Sequence, residues 1–329
     1  LQRGSVVALP TETVYGLAGD AMNDEAVTRI FESKSRPRFD PLIVHLPHRD
    51  SLPDVAQVPE EIESILPKFL DRFWPGPLTI LLPKQPAISD LITAGLPHVA
   101  VRISGHAVFR KVIGQLGRPL AAPSANRFGR ISPTSASAVM EELGGEIPLI
   151  LDGGACREGL ESTIIGIAPG PKKPVVTILR PGPVTREDLK QLGKIQAVRR
   201  EAGSIEAPGQ TDSHYAPIKP LKLLADPADF TPEPDKRYAL LSYRGDPADG
   251  YLSLTDFVET SVLSPGSGKL PEAAVRFFYS LRQLDQSSAD EIIAEPLPKR
   301  GLGVAIMDRL ERAAAPKTKG EGRDGAHQV

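Results

Sequence analysis

Cysteine is nearly absent: Cys156 is the single one in 329 residues. One thiol cannot close an internal disulfide or supply a multi-cysteine zinc site. It suits a reducing compartment, and a buried bystander thiol is a simpler reading than a nucleophile. Aromatic residues are scarce at 5%, and a formal charge of −2 leaves no basic excess. Broad binding of duplex or single-stranded nucleic acid needs a cationic face or stacking platforms, so RNA is not expected as the primary ligand; a local cationic pocket stays compatible with this balance. No apolar run approaches the ~20 residues that cross a bilayer, and no secretory signal is visible, so no membrane partner and a cytoplasmic location are expected. The chain starts at Leu1 without a methionine, and a short upstream segment is expected to have been removed or left out.

Hydrophobic residues at 40% and charged residues at 24% describe a globular protein long enough for two domains. Strand-like runs lie at Val6–Leu9, Leu42–Leu46, Leu78–Leu82, Val99–Ile103, Leu149–Leu151, Thr163–Ile167 and Val175–Leu179. Helix-like patterns lie at Glu25–Glu32, Pro59–Phe73, Ala107–Leu116 and Ser135–Leu143. The irregular alternation predicts an α/β fold with a twisted mixed sheet and flanking helices, not a regular doubly wound one. Strands near Leu221–Leu224, Tyr238–Ser242 and Glu291–Ala294 and a helix over Pro271–Leu284 predict a smaller second α/β domain of Rossmann-like type. The expected division is a first domain over 1–183, a linker over 184–220 that reaches over the active site, a second domain over 221–312 and a disordered tail over 313–329.

Two motifs fail on inspection. Gly266-Ser-Gly-Lys269 has the look of a phosphate loop, but Leu270 stands where Ser or Thr is needed and Leu263 where the first glycine belongs. Gly301-Leu-Gly303 lacks the third glycine of a dinucleotide fingerprint. There is no nucleophile elbow and no zinc-binding His-Glu-x-x-His, so ATP, if bound, is bound without a Walker loop.

The most informative stretch is Lys34-Ser-Arg-Pro-Arg-Phe-Asp-Pro-Leu-Ile-Val-His45. Pro37 and Pro41 each fix their own φ and restrict the residue before them, which holds Lys34, Arg36 and Arg38 as a rigid cationic corner at the mouth of a strand. Such a corner suits a nucleoside triphosphate; a solvated loop is the plain alternative. Strand alternation puts Val99, Val101 and Ile103 on one face, with Ala100 and Arg102 on the other. An arginine beside an alanine suggests a cavity with a cation in its wall, and its planar fork could take a carboxylate in two places; a structural salt bridge is the competing reading. His45 likewise faces away from Leu42, Val44 and Leu46.

Pro10-Thr-Glu-Thr-Val-Tyr-Gly-Leu17 stands upstream of that stretch. Ala122-Pro-Ser-Ala-Asn126, Ser132-Pro-Thr134, Glu161-Ser-Thr163, Leu179-Arg-Pro-Gly182 and His214-Tyr-Ala-Pro217 follow it. In this order and spacing, over about residues 1–310, the set resembles the threonylcarbamoyl-AMP synthase family with its YrdC-like fold. The His-Tyr-Ala-Pro segment and the C-terminal region are similar to the longer, two-domain Sua-type members. The resemblance implies that ATP, L-threonine and bicarbonate or CO2 become threonylcarbamoyl-AMP and pyrophosphate. By matching motif, Thr13, His45, Arg102 and Ser162 would contact threonine, with the backbone around Ala122. Lys34, Arg36, Asp40, Ser124, Asn126, Ser132, Arg180 and Tyr215 would surround ATP, with His98 close by; Lys34, Arg36 and Arg102 would carry the catalytic weight. Tyr215 would belong to a linker folding over the nucleotide, while its plain alternative is a residue packed between domains; His214 could be purely structural. No carboxylate cluster suggests a protein-made cage, so Mg²⁺ would be held mainly by the phosphates. Downstream tRNA threonylcarbamoyl transferase proteins are implied partners, and direct tRNA contact stays open.

Three positions depart from the family's usual pattern. Ser104 stands where a proline is common, Gly166 where an aspartate often follows the Ser-Thr strand, and Gln210-Thr-Asp-Ser213 where the sequence is usually more basic. An RNA-binding or ribosome-maturation module is the alternative function. A hydrogenase-maturation type of carbamoyltransferase shares the core fold, but its cysteine-rich zinc segments are missing here.

Overall fold

The computed structural model describes residues 1–196, 207–209 and 214–315. Nine strands form one mixed sheet: β1 (Val7–Leu9), β2 (Gly16–Asp20), β3 (Ile43–His45), β4 (Leu78–Pro83), β5 (His98–Arg102), β6 (Leu120–Ala121), β7 (Thr163–Ala168), β8 (Val175–Arg180) and β9 (Lys194–Gln196). Their order is β1-β2-β6-β3-β5-β4-β7-β8-β9. β10 (Leu221–Leu223), β11 (Tyr238–Ser242), β12 (Glu259–Val262) and β13 (Glu291–Ala294) form a second sheet of order β10-β13-β11-β12, parallel throughout.

The expected strand alternation holds where the site is built. Val44, Leu46, Val99, Val101 and Ile103 enter the main core, with Leu42 beside them. Ile43 and Ala100 join a separate cluster on the opposite face. β3 and β5 are parallel neighbours in which His45 is paired with Arg102, so the two polar side chains emerge together on that opposite face.

The first cationic corner has a local cause. Asn23 caps helix Asp24–Lys34 by accepting from the amides of Glu25 and Ala26. Ser35, at φ 50°, ends the helix in a left-handed turn, and Arg36 leaves it toward Pro37.

Several elements differ from the sequence reading. The helix expected over Pro59–Phe73 divides into Glu60–Glu63 and Leu66–Phe73, because Pro67 lacks an N–H and is tolerated only in a first turn. Leu149–Leu151 makes only an isolated bridge from Ile150 to Ala8. The segment expected to begin the linker holds regular structure: Thr185 caps helix Arg186–Lys190, and β9 pairs in parallel with β8. The last helix, Leu302–Ala314, runs past the expected domain end at 312, since Ala305, Ile306, Leu310 and Ala313 are buried along one side. The rest of the expected tail, 316–329, and the Gln210–Ser213 stretch lie outside the described residues.

The domains are docked. Arg282 of helix Leu270–Gln286 bonds Glu142 at 2.9 Å and the Ile131 carbonyl at 2.8 Å, and Arg130 reaches Asp285 at 3.2 Å. At Gly159, φ +71°, a Cβ would stand 2.4 Å from the Ala274 carbonyl oxygen, so the helix backbone approaches this loop directly. Among the described residues no helix is long and apolar enough to cross a membrane.

Candidate functional site

The ends of β2, β3, β5 and β8 and the turns after β1 and β6 enclose one cavity. Pro208, Gly209, His214 and Tyr215 close it from the linker. Its enclosed space is only about 50 Å³.

Arg102 supplies one wall. It is buried and forms an ion pair with Glu12, while its Nη1 donates to Thr13 Oγ1 at 3.2 Å and its Nε has no partner among the described residues. Glu12 is itself fixed by Ser104 Oγ at 2.6 Å and the Gly105 amide at 3.0 Å. Thr11 Oγ1 receives the amides of Thr13 and Val14, which folds the turn that presents Thr13. Ser104 is thus a ligand of the carboxylate that holds Arg102.

His45 lies beside Arg102, its ring 4.6 Å from that of Phe109. Burial, and then the Arg102 charge, hold its pKa well below the usual histidine value, so the imidazole is neutral; its Nδ1 has no partner among the described residues. Ser162 shares a 2.8 Å hydrogen bond with Thr79. Arg180 wraps it, with Nη2 donating to Ser162 Oγ at 3.1 Å and Nε to its carbonyl at 3.1 Å. Arg36 is held by Asp40 at 2.7 Å and by the Pro41 carbonyl at 2.9 Å. Burial raises the Asp40 pKa, against the lowering effect of Arg36.

Of the residues placed by motif around threonine or ATP, Thr13, Arg36, His45, Arg102, Ala122, Ser124, Ser162, Arg180 and Tyr215 line this one cavity. Five do not. Lys34 Nζ is buried beneath it and donates to the carbonyls of Ser124, at 2.6 Å, and Asn126. Burial and the neighbouring Arg36 draw its pKa well down. Asn126 spends its amide on the carbonyls of Arg127 and Arg130, so Lys34 and Asn126 hold the loop that carries Ser124. Asp40 stands behind Arg36, and Ser132 donates to Glu161 at 2.5 Å. His98 is exposed at the start of β5, four residues, or about 13 Å, along the strand from Arg102.

Glu12, Glu161 and Arg309 were missed by sequence reasoning. Glu161 and Glu12 sat inside quoted motifs, and each acidic residue beside Ser or Thr at a strand end was a usable signal. Arg309 carried none, because only the tertiary fold brings it 3.1 Å from Glu161. A Cβ at Gly166 would meet nothing within 4 Å, so an acid there is not excluded by packing.

Tyr215 faces both domains. It lines the cavity and also enters the core of the second domain, its ring 5.6 Å from that of Phe278. Its φ of 64° is uncommon for a bulky residue and marks a backbone held by its surroundings.

The family model described as telomere recombination matches residues 1–182, and the model of the threonylcarbamoyl-AMP synthase C-terminal domain matches 184–315. The chain belongs to the threonylcarbamoyl-AMP synthase family. It is 38% identical to the threonylcarbamoyl-AMP synthase of Pyrococcus abyssi, over 95% of this chain and 92% of that one. The Bacillus subtilis synthase is also 38% identical, over 95% and 90%. Among solved structures, P. abyssi Sua5 complexed with L-threonine superimposes with a TM-score of 0.82 at 36% identity, covering 95% of this chain and 91% of that chain. A P. abyssi Sua5 variant with an adjacent histidine and tyrosine replaced by alanine gives the same TM-score.

No described group of three or more His, Cys, Asp or Glu side chains could cage a metal ion in this family member. The nearby carboxylates Glu12, Asp40 and Glu161 are each paired with an arginine. The donor set therefore does not fit a protein-held Mg²⁺.

Proposed function

We infer that this chain is a threonylcarbamoyl-AMP synthase, which joins L-threonine, bicarbonate or CO2, and ATP into threonylcarbamoyl-AMP and pyrophosphate. The observation that carries the reading is the convergence of Arg102, Thr13, His45 and Ser162 with Arg36 and Arg180 on one cavity in a chain of this family. Arg102 and Thr13 form a carboxylate-binding pair, with Glu12 fixing the guanidinium. Neutral His45 and Ser162 offer hydrogen-bonding atoms to the amine and hydroxyl. Arg36 and Arg180 place charge along the triphosphate.

The neutral amine of threonine captures CO2 and loses a proton, forming a carbamate. A carbamate oxygen then attacks the α-phosphorus, the bond to the bridging oxygen breaks and pyrophosphate leaves. Positioning and stabilisation of phosphate-oxygen charge supply the catalysis, without a covalent enzyme intermediate. Mg²⁺ enters as part of the nucleotide substrate, carried by its phosphates. A cavity of about 50 Å³ cannot take ATP, so Pro208, Gly209, His214 and Tyr215, which close it, move aside for substrate entry.

The product supplies the threonylcarbamoyl group for the adenosine next to the anticodon of tRNA, through downstream transferase proteins and in the cytoplasm. An RNA-binding role is not favoured, because the cavity's cations Arg36, Arg102 and Arg180 are buried. The test is mass analysis of the nucleotides formed from ATP, Mg²⁺, bicarbonate and L-threonine. An AMP adduct carrying carbon from labelled bicarbonate is expected; ADP, or AMP without an adduct, would overturn the reading.

A further inference from the structure

A second crevice lies in the C-terminal domain, built by sheet topology. β11 and β13 are parallel neighbours, yet the chain leaves them toward opposite faces. After β11 it turns to Tyr251, which packs with Leu240 and Ile293 on one face. After β13 it passes through Glu295–Gly301 into helix Leu302–Ala314, which packs with Leu241, Ile292 and Ala294 on the other. Open α/β sheets bind ligands beyond the carboxyl ends of strands at such a reversal, because the diverging connections leave a gap there. Here the gap measures about 610 Å³, within the ordinary range for small-molecule sites.

Its chemistry is two-ended. Glu295 is only 6% exposed, and its Oε2 accepts from Ser242 Oγ and the Tyr243 amide, each at 2.7 Å. No donor among the described residues takes Oε1, in a side chain that borders the crevice. A carboxylate oxygen so placed accepts from hydroxyl or amino groups. Arg300 also borders the crevice, and its guanidinium has no ion-pair partner among the described residues. Arg244, by contrast, is engaged by Asp246 at 3.3 Å and Asp249 at 3.1 Å. The free arginine suits an anion and the buried carboxylate suits a polyol, and the carboxylate would repel the anion from its own end.

We propose that the crevice between β11 and β13 is a second ligand site for a small phosphorylated sugar, with its hydroxyls on Glu295 and its phosphate on Arg300. The site is separate from the cavity of the first domain and shares no lining residue with it.

Ribose 5-phosphate titrated calorimetrically into the full chain tests this. Saturable binding is expected, weakened about tenfold or more in Arg300→Ala and in Glu295→Gln, since each removes a charge-assisted hydrogen bond. Arg36→Ala, in the first cavity, should leave it unchanged. Arg300 is exposed, so its variant folds whatever the tolerance at Glu295. Absence of saturable binding, native affinity in either crevice variant, or loss of binding in Arg36→Ala would overturn the proposal. Inorganic phosphate binding as tightly as ribose 5-phosphate would overturn the role of Glu295.

Discussion

Arg309 Nε lies 3.1 Å from Glu161 Oε2, so the last helix of the second domain reaches the wall of the cavity in the first. Arg309 is fully buried and also donates to the Pro181 carbonyl, and its guanidinium carbon sits 5.6 Å from the centre of the Tyr215 ring. Glu161 spends its other oxygen on Ser132. The second domain therefore helps to complete the site.

Arg309→Ala leaves Glu161 buried without its cation, and loss of one partner of a buried pair costs about 3–5 kcal/mol. A lowered urea midpoint and a raised KM for ATP are expected. Arg309→Lys keeps the charge but not the fork, and should recover only part of both. Native stability and kinetics in Arg309→Ala would remove the link between the domains.

Ser104→Ala deletes a 2.6 Å hydrogen bond to the Glu12 carboxylate, of a kind worth about 1.5–3 kcal/mol. Glu12 then holds Arg102 less firmly. The expected result is a raised KM for L-threonine with the KM for ATP nearly unchanged, measured by initial rates. Equal changes in both constants would show that Ser104 serves general stability instead.

What the sequence revealed followed from short-range rules. Strand alternation put Arg102 and His45 on the face opposite the main core, and they are paired neighbours there. The prolines marked the turn that carries Arg36. Lys34 misled, because the cationic corner read as open while helix termination at Ser35 leaves Lys34 buried under two carbonyls. Arg309, 148 residues from Glu161, was illegible because only domain docking makes it a neighbour. β2 and β6 were missed because Gly-Leu-Ala-Gly-Asp and a two-residue strand carry no usable alternation.

Gly209, at φ +77°, admits no side chain without strain, and a Cβ there would stand 2.8 Å from the Tyr215 hydroxyl. Gly209→Ala should cost about 1–3 kcal/mol in the closed linker conformation. Tighter ATP binding by equilibrium titration is the expected signature, because the conformation destabilised is the one that excludes ATP. Unchanged ATP binding would mean that this part of the linker does not close the cavity against the nucleotide.

His45 and His214 both have pKa values well below the ordinary 6.5, from burial first and then from neighbouring arginines and, for His214, Lys34. The folded protein keeps these rings neutral, whereas the unfolded chain protonates them. Their contribution is present above about pH 6.5 and is lost as pH falls, by up to about 1.4 kcal/mol per pH unit for each ring. His214→Phe should flatten the fall in urea midpoint between about pH 7 and pH 5 relative to the native chain. An unchanged slope would show that His214 does not carry the effect.

Pyrophosphate release from ATP with Mg²⁺ and bicarbonate, with and without L-threonine, decides whether this chain is the synthase. Release should depend on threonine and fall strongly in Arg36→Ala. Release that is indifferent to threonine in the folded native chain would contradict the synthase reading.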